Sequence, residues 1–405
     1  MSVVSHDRSY RALLSVPSVG RMLIGMQIAR IGQSMVSIAI VLYALDSYRS
    51  AALAGMATFC AVFPGLLVSP LAGALLDRHG RTRLVILDYI VALFSLLLMG
   101  TLALAHALPA WLLMAIAAIA SLTVPLSGSG LRSLLPIIVP VHLWERANAL
   151  DSTGFLIATI VGPPVAAGIV ALCGGPVAFV VIGLTFGAAA IVITGTPDPP
   201  TQSPSSGSLL TDAWHGLVYT WRNRTLRALA LTLSTFNLAS GITTIVIPYL
   251  VLERLHMSET VVGVVMAIQG VAGMIAAVGI GSIDSRNRER NMLVVPMIGI
   301  GLATGILLVR SDLFGIVLLM GICGLLNGPL DVALFTLRQR RTHPDWTGRA
   351  FAVSMSFNYL GGPIGSAITG FMAARSMDAA IIFGIVTCLI AGLMGTVMIP
   401  TNERS

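Results

Sequence analysis

The chain contains no lysine; all 24 of its basic residues are arginine. Charge of either sign is scarce, with 10% of its 405 residues ionisable as Asp, Glu, Lys or Arg. A soluble domain carries about 25%, so a water-soluble globular fold is excluded. Cysteine is sparse too. Cys60, Cys173, Cys323 and Cys388 all fall inside apolar runs without metal-ligand spacing. They form no disulfide framework and read as small core residues. His6, His79, His106, His142, His215, His256 and His343 lie near the ends of apolar runs or in connections, again without metal spacing. No phosphate-binding loop is present, which argues against direct drive by ATP. No nucleophile–base pair can be argued from spacing. The chain is therefore expected to be no enzyme and to need neither cofactor nor metal. No cleavable signal peptide is visible, and the first apolar run is too long for one, so it is expected to stay as an anchor.

What is present is apolar length. Hydrophobic residues make up 56% of the chain, and its mean hydropathy is +0.90. A helix that crosses a bilayer needs about 20 mostly apolar residues. Twelve such segments can be placed, at 20–45, 51–76, 84–105, 109–131, 147–172, 175–195, 226–252, 259–283, 291–310, 313–336, 350–374 and 377–399. The expected fold is thus an all-α membrane protein. Alternate connections differ sharply in arginine. Arg49, Arg254, Arg310 and Arg375 fall on one side; every other arginine except Arg30 falls on the side that holds both termini. The positive-inside rule then puts both termini in the cytoplasm. The net charge of +7 sits in these connections and implies lipid headgroups as neighbours, with no nucleic-acid partner.

The longest connection lies mid-chain. Residues 196–208 are rich in Pro, Ser and Gly and read as a flexible linker. After it, Leu210, Trp214, Leu217, Val218 and Trp221 share one helical face, which predicts an amphipathic helix on the inner membrane surface. The expected organisation is a lead at 1–19, a six-helix bundle at 20–195, a linker at 196–225, a second bundle at 226–399 and a tail at 400–405. The halves look like repeats of one another. Asp284-Ser-Arg286-Asn-Arg288 is a degraded copy of a stretch around Asp77, and Arg349-Ala-Phe-Ala matches Arg146-Ala-Asn-Ala.

The most informative stretch is Gly73-Ala-Leu-Leu-Asp77-Arg78-His-Gly80-Arg81-Thr-Arg83, between the second and third segments. Gly80 supplies a turn, and the arginines stand where anionic headgroups hold them. Asp77 ends a helix, where the dipole disfavours an anion, so it needs a cation or another helix's N-terminus. The stretch resembles the loop signature of the major facilitator superfamily, Gly-x-Leu-x-Asp-Arg-x-Gly-Arg. That resemblance implies two pseudo-symmetric six-helix bundles that rock around a central cavity. It also implies that Asp77 and Arg81 bridge the halves on the inner side, with Asp77 facing the eleventh helix near Gly348. In the fifth helix, Gly154, Gly162, Pro163, Pro164 and Gly168 partly resemble the antiporter motif of the family's exporters. The region Leu134 to Leu150 resembles the branch that includes macrolide-efflux proteins and the enterobactin exporter. One departure is expected: the fourth segment, Trp111 to Leu131, holds no charge, whereas many drug–proton antiporters place an arginine there.

Charges inside a bilayer are costly and so are candidates for function. Asp88, Asp151 and Asp331 lie roughly 6–9 Å inside their helix ends at ~1.5 Å per residue. Arg146, Arg338 and Arg349 are available as partners for gating or coupling pairs; a purely structural pairing is the alternative. Arg30 is different. At ~15 Å into the first helix it is read as the lone charge near mid-depth. Gln27, Gln33, Ser34 and Ser37 share its face, and Asn237, Ser240 and Thr244 form a matching stripe in the second half. Gln269, Asn327 and Asn358 are further cavity candidates, with ordinary interhelical hydrogen bonds as the alternative. A lone guanidinium predicts an anionic, amphipathic substrate; the alternative is that Arg30 merely ties helices together.

The expected function is a monomeric secondary exporter of a small organic molecule, with protons as the coupling ion by family resemblance. Import or facilitated diffusion, or a non-transport receptor or scaffold on the same fold, are the alternatives.

Overall fold

In a computed structural model, residues 9–198, 209–281, 288–342 and 347–400 are described. Helices account for nearly all of them, and no strand occurs among the described residues. The long helices are α1 (Val19–Tyr48), α2 (Ala51–His79), α3 (Arg81–Leu104), α4 (Ala110–Ser121 and Val124–Ile138), α5 (Trp144–Cys173) and α6 (Gly175–Ile193). The second set is α7 (Arg224–Arg254), α8 (Glu259–Gly281), α9 (Glu289–Val309), α10 (Leu313–Arg341), α11 (Thr347–Ala373) and α12 (Met377–Met398). Among the described residues, 11 helices are long and apolar enough to cross a membrane. The remaining long helix, α11, spans 27 residues and coincides with the eleventh expected segment.

Local chemistry starts these helices where the sequence allows. Ser50, Asn223, Asp312 and Ser376 each accept a backbone N–H of the first turn they precede. Gly80 at φ +93° separates α2 from α3 with no intervening loop, a conformation that only glycine adopts without strain.

The two sets of six pack alike. In the first bundle α1 lies against α5 and α6, α2 against α4, and α3 against α6; in the second, α7 lies against α11 and α12, α8 against α10, and α9 against α12. The bundles meet through α2 with α11 and α5 with α8. On the face away from the termini this meeting is tight. A methyl group added at Gly55 of α2 would overlap the Ser366 carbonyl of α11, and one added at Gly263 of α8 would press on Pro164 of α5. Arg49 Nη1 donates to Glu253 Oε1 at 3.0 Å across the same face. Deeper in, the Ser69 and Ser356 hydroxyls meet at 2.9 Å.

Two expectations change. The fourth helix does not end at Leu131. After a break at Leu122 and Thr123 it resumes with Pro125 in its first turn and runs to Ile138, so Arg132 is helical. The amphipathic segment forms a helix over Leu209–Arg222, but it is seated on the bundles through α11 and α2. Trp221 lies 6.3 Å from the Phe357 ring, while Trp214 points outward at 61% exposure. Most of the linker and the Asp284–Arg286 repeat fall outside the described residues.

Candidate functional site

Between the bundles lies a cavity of about 380 Å³. The first bundle contributes Ser34 and Ser37 of α1 with Thr159, Ile160 and Pro163 of α5. The second contributes Thr243 and Thr244 of α7, Gln269 of α8, and Asn327 and Asp331 of α10. A smaller cavity of about 150 Å³ adjoins it within the second bundle, sharing Gln269, Thr243 and Asn327 and adding Asn237, Ser240 and Cys323. Gln33 instead faces a void of about 40 Å³ inside the first bundle, beside Ser95 and Ser121.

The wall of α7 is irregular. A short 3₁₀ turn at Leu238–Ser240 is followed by π winding over Ile242–Val246 and Leu250–Arg254. Pro248 sits between the π stretches and has no N–H to give the helix, which loosens the regular ladder.

Arg30 is not alone. Its Nη2 meets Asp151 Oδ1 at 2.5 Å, and its Nη1 donates to the Asp151 carbonyl at 2.9 Å. Arg132 Nε donates to the other carboxylate oxygen, Oδ2, at 3.1 Å. Both guanidiniums stand over Phe155, at 5.9 and 5.5 Å from the ring centroid. The premise of a lone mid-depth arginine therefore fails, because α5 brings Asp151 to the same level. Two cations share one anion, so the cluster keeps one positive charge. Arg132 is the more exposed of the two, at 48% against 17% for Arg30.

The second bundle repeats this crossing without charge. Asn237 Nδ2 donates to the Asn358 carbonyl at 2.7 Å, across the same 121-residue separation that links Arg30 to Asp151. Gly154 lies against Gln27 where α5 crosses α1, and Gly361 lies against Ser234 where α11 crosses α7. Gln27 and Asn358 thus belong to helix crossings and do not line the central cavity.

The remaining candidates scatter. Asp88 of α3 is 2% exposed and stands against the Thr123 and Ser127 hydroxyls of α4, not against an arginine. The Arg146 guanidinium lies over the Tyr10 ring at 5.4 Å. Arg338 is wholly buried on α10, and the Arg349 side chain lies outside the described residues. Gly162 packs under Ser34, Pro164 meets Gly263 of the other bundle, and nothing stands within 4 Å of a methyl placed at Gly168.

The loop after α2 holds a further surprise. Asp198, just beyond α6, accepts the backbone N–H groups of Arg81 at 3.1 Å and Thr82 at 3.0 Å. It thereby covers the positive end of α3. Arg81 itself is buried at 7% exposure, whereas Arg78 and Arg83 are exposed. The Gly73 and Asp77 contacts lie outside the described residues. Asp198 and Arg132 escaped the sequence reading. For Arg132 a signal was available, since a helical continuation from Leu131 to Ile138 puts it one turn from apolar neighbours.

Comparison with known proteins agrees with this geometry. The family model described as Major Facilitator Superfamily matches residues 22–366 and 229–405. An MFS-type transporter of Sinorhizobium fredii, y4rN, is 34% identical, over 97% of this chain and 98% of its own. The multidrug efflux pump Tap of Mycolicibacterium fortuitum is 23% identical over 89% and 90% of the two chains. Macrolide efflux protein A of Streptococcus pyogenes is 24% identical over 87% and 88%. Among solved structures, the nucleoside transporter NupG superposes with a TM-score of 0.73 at 13% identity, covering 94% of this chain and 97% of that one.

Proposed function

This chain belongs to the Major Facilitator Superfamily, a family of transporters, and on that premise we propose that it is a secondary exporter of a small amphipathic organic molecule. The observation that carries the reading is the cavity walled by both bundles, with the described cross-bundle ion pair on the face away from the termini. At about 380 Å³ it suits a small organic ligand, since such sites run from about 300 to 1,000 Å³. Leu156, Ile160, Met266 and Met274 give the walls an apolar character, and Gln269, Asn327 and the serines of α1 add hydrogen-bonding groups. The export direction is supported by the glycine–proline stretch of α5 and by relatives named as efflux pumps.

With both termini in the cytoplasm, as the arginine distribution favours, the Arg49–Glu253 face is external and this conformer is closed outward. Asp77 and Arg81 then belong to the inner gate. Asp77→Asn is expected to lower transport while the folded yield stays near that of the parent; normal transport by that variant would leave the motif as a topology signal alone. A proton gradient is the proposed driving force. Arg132, helical in the second part of α4 and bonded to Asp151, supports that reading by supplying a charge on the fourth helix. Flux in inverted and right-side-out vesicles, with and without an uncoupler, tests the whole reading. Accumulation in inverted vesicles, abolished by the uncoupler, is expected. Inward flux in right-side-out vesicles would overturn export.

A further inference from the structure

The central cavity carries formal charge on one side only. Among the described residues that line it, Asp331 of α10 alone is ionisable. Its side chain is exposed into the space between the bundles. Among the described residues no hydrogen bond or ion pair reaches that carboxylate. Asn327 stands one turn earlier on the same helix and lines the same wall. Its carboxamide too is without a hydrogen bond among the described residues. The wall is fixed between the two. At Gly328 the backbone of α10 lies against that of α8, and an added methyl would stand 2.6 Å from the Ala277 nitrogen. Arg30 and Arg132 are held by Asp151, and neither is among the lining residues.

An unpaired carboxylate at membrane depth is costly. Among the described residues Asp331 ties α10 to no neighbour, so packing does not account for it. Where this chain needs only a helix crossing, it uses the neutral pair Asn237 and Asn358. We propose that Asp331 and Asn327 receive a protonated amine of the substrate through its N–H groups. The carboxylate offers two acceptor oxygens and the carboxamide a third, which matches the donors of a primary ammonium. A quaternary ammonium has no N–H to give, and the described lining has no aromatic ring on which to seat one. An anion meets no cation among the same residues. The apolar body of the substrate lies along Ile160, Met266 and Met274. The substrate class is thus an amphipathic primary amine. The inference deepens the transport reading and rests on the cavity being the transport site. A proton is the other source of positive charge that could neutralise Asp331.

The test uses the purified full-length chain and four probes on one scaffold: naphthylethylamine, its trimethylammonium form, naphthylethanol and naphthylpropionate. Binding is read by calorimetry, with a thermal unfolding scan of each variant as a control for folding. Naphthylethylamine is expected to bind about tenfold more tightly than each of the other three, the effect of one charge-assisted contact. Asp331→Asn should reduce the amine to the affinity of the alcohol and leave the alcohol little changed. Asn327→Leu should narrow the preference for the amine over its trimethylammonium form. Equal binding of amine and alcohol to the parent overturns the proposal and points to a proton on Asp331. A trimethylammonium form that binds as tightly as the amine overturns the N–H contact, and tightest binding of the propionate overturns the sign of the charge. An undiminished preference for the amine in Asp331→Asn also overturns the proposal. If none of the probes binds, the amine assignment falls, whereas export stands or falls separately on vesicle flux.

Discussion

Arg30 and Asp151 illustrate how a charge at depth is tolerated when its counter-charge is delivered by a neighbouring helix. The side chains are 17% and 11% exposed, so breaking the pair leaves a nearly buried ion. Asp151→Asn alone, which strips both guanidiniums of their anion, is expected to destabilise the protein by about 3 kcal/mol, and Arg30→Asn alone by less, because Arg132 still holds Asp151. The double variant copies Asn237 and Asn358 at the crossing and should recover part of the Asp151→Asn loss, the remainder being the anion that Arg132 no longer has. Thermal unfolding in detergent measures all three, and a double variant no better than Asp151→Asn would show that the charges themselves hold the crossing. At the loop, Asp198→Ala should cost about 1 kcal/mol, the usual worth of a helix N-terminal acceptor. Gly80→Ala should cost more, because φ is +93° and the new methyl would stand 2.6 Å from Asp198 Oδ2. Neither Asp198 nor the Arg30 pairing was legible in the sequence. The partners lie more than a hundred residues apart, and no local pattern records such contacts.

Whole helices were far easier to read, because each is an unbroken apolar run long enough to cross a bilayer. The exception is α4. Its last turns carry Arg132, and an arginine at the edge of an apolar run looks like the end of a span. It continues because Asp151 and the Phe155 ring receive the guanidinium. The fifth-helix glycines were legible as part of a motif, but not which helix each one admits. The two corresponding crossings should respond unequally to one change. At Gly154 a methyl meets the tip of the Gln27 side chain, which can swing away; at Gly361 it meets the backbone carbonyl of Ser234, which cannot. Gly361→Ala is therefore expected to destabilise by about 1–3 kcal/mol, and Gly154→Ala by less. Unfolding temperatures of the two variants check the order.

At the scale of the whole molecule, the contacts on the face away from the termini define the conformer. The Arg49–Glu253 pair is exposed, so it adds only about 0–1 kcal/mol and weakens with salt. Its value is as a reporter. In a Cys173→Ser background, cysteines at positions 49 and 253 joined by a short bis-maleimide should stop transport, while either single cysteine treated alike should not. Continued flux through the joined protein would mean that this face need not open. The duplicated plan of the bundles was visible in the sequence through its repeated motifs. The seating of the Leu209–Arg222 helix was not, since its stripe of Leu and Trp fits a lipid surface and a protein groove equally well. That seating has a mechanical consequence. A brace resting on α2 of one bundle and α11 of the other cannot stay in place on both when they part. If the bundles rock as proposed, each stroke slides it or lifts it from one seat, and the contact of Trp221 with Phe357 then adds to the barrier. On that reading the Leu209–Arg222 helix is a pawl that helps set the tempo of the cycle.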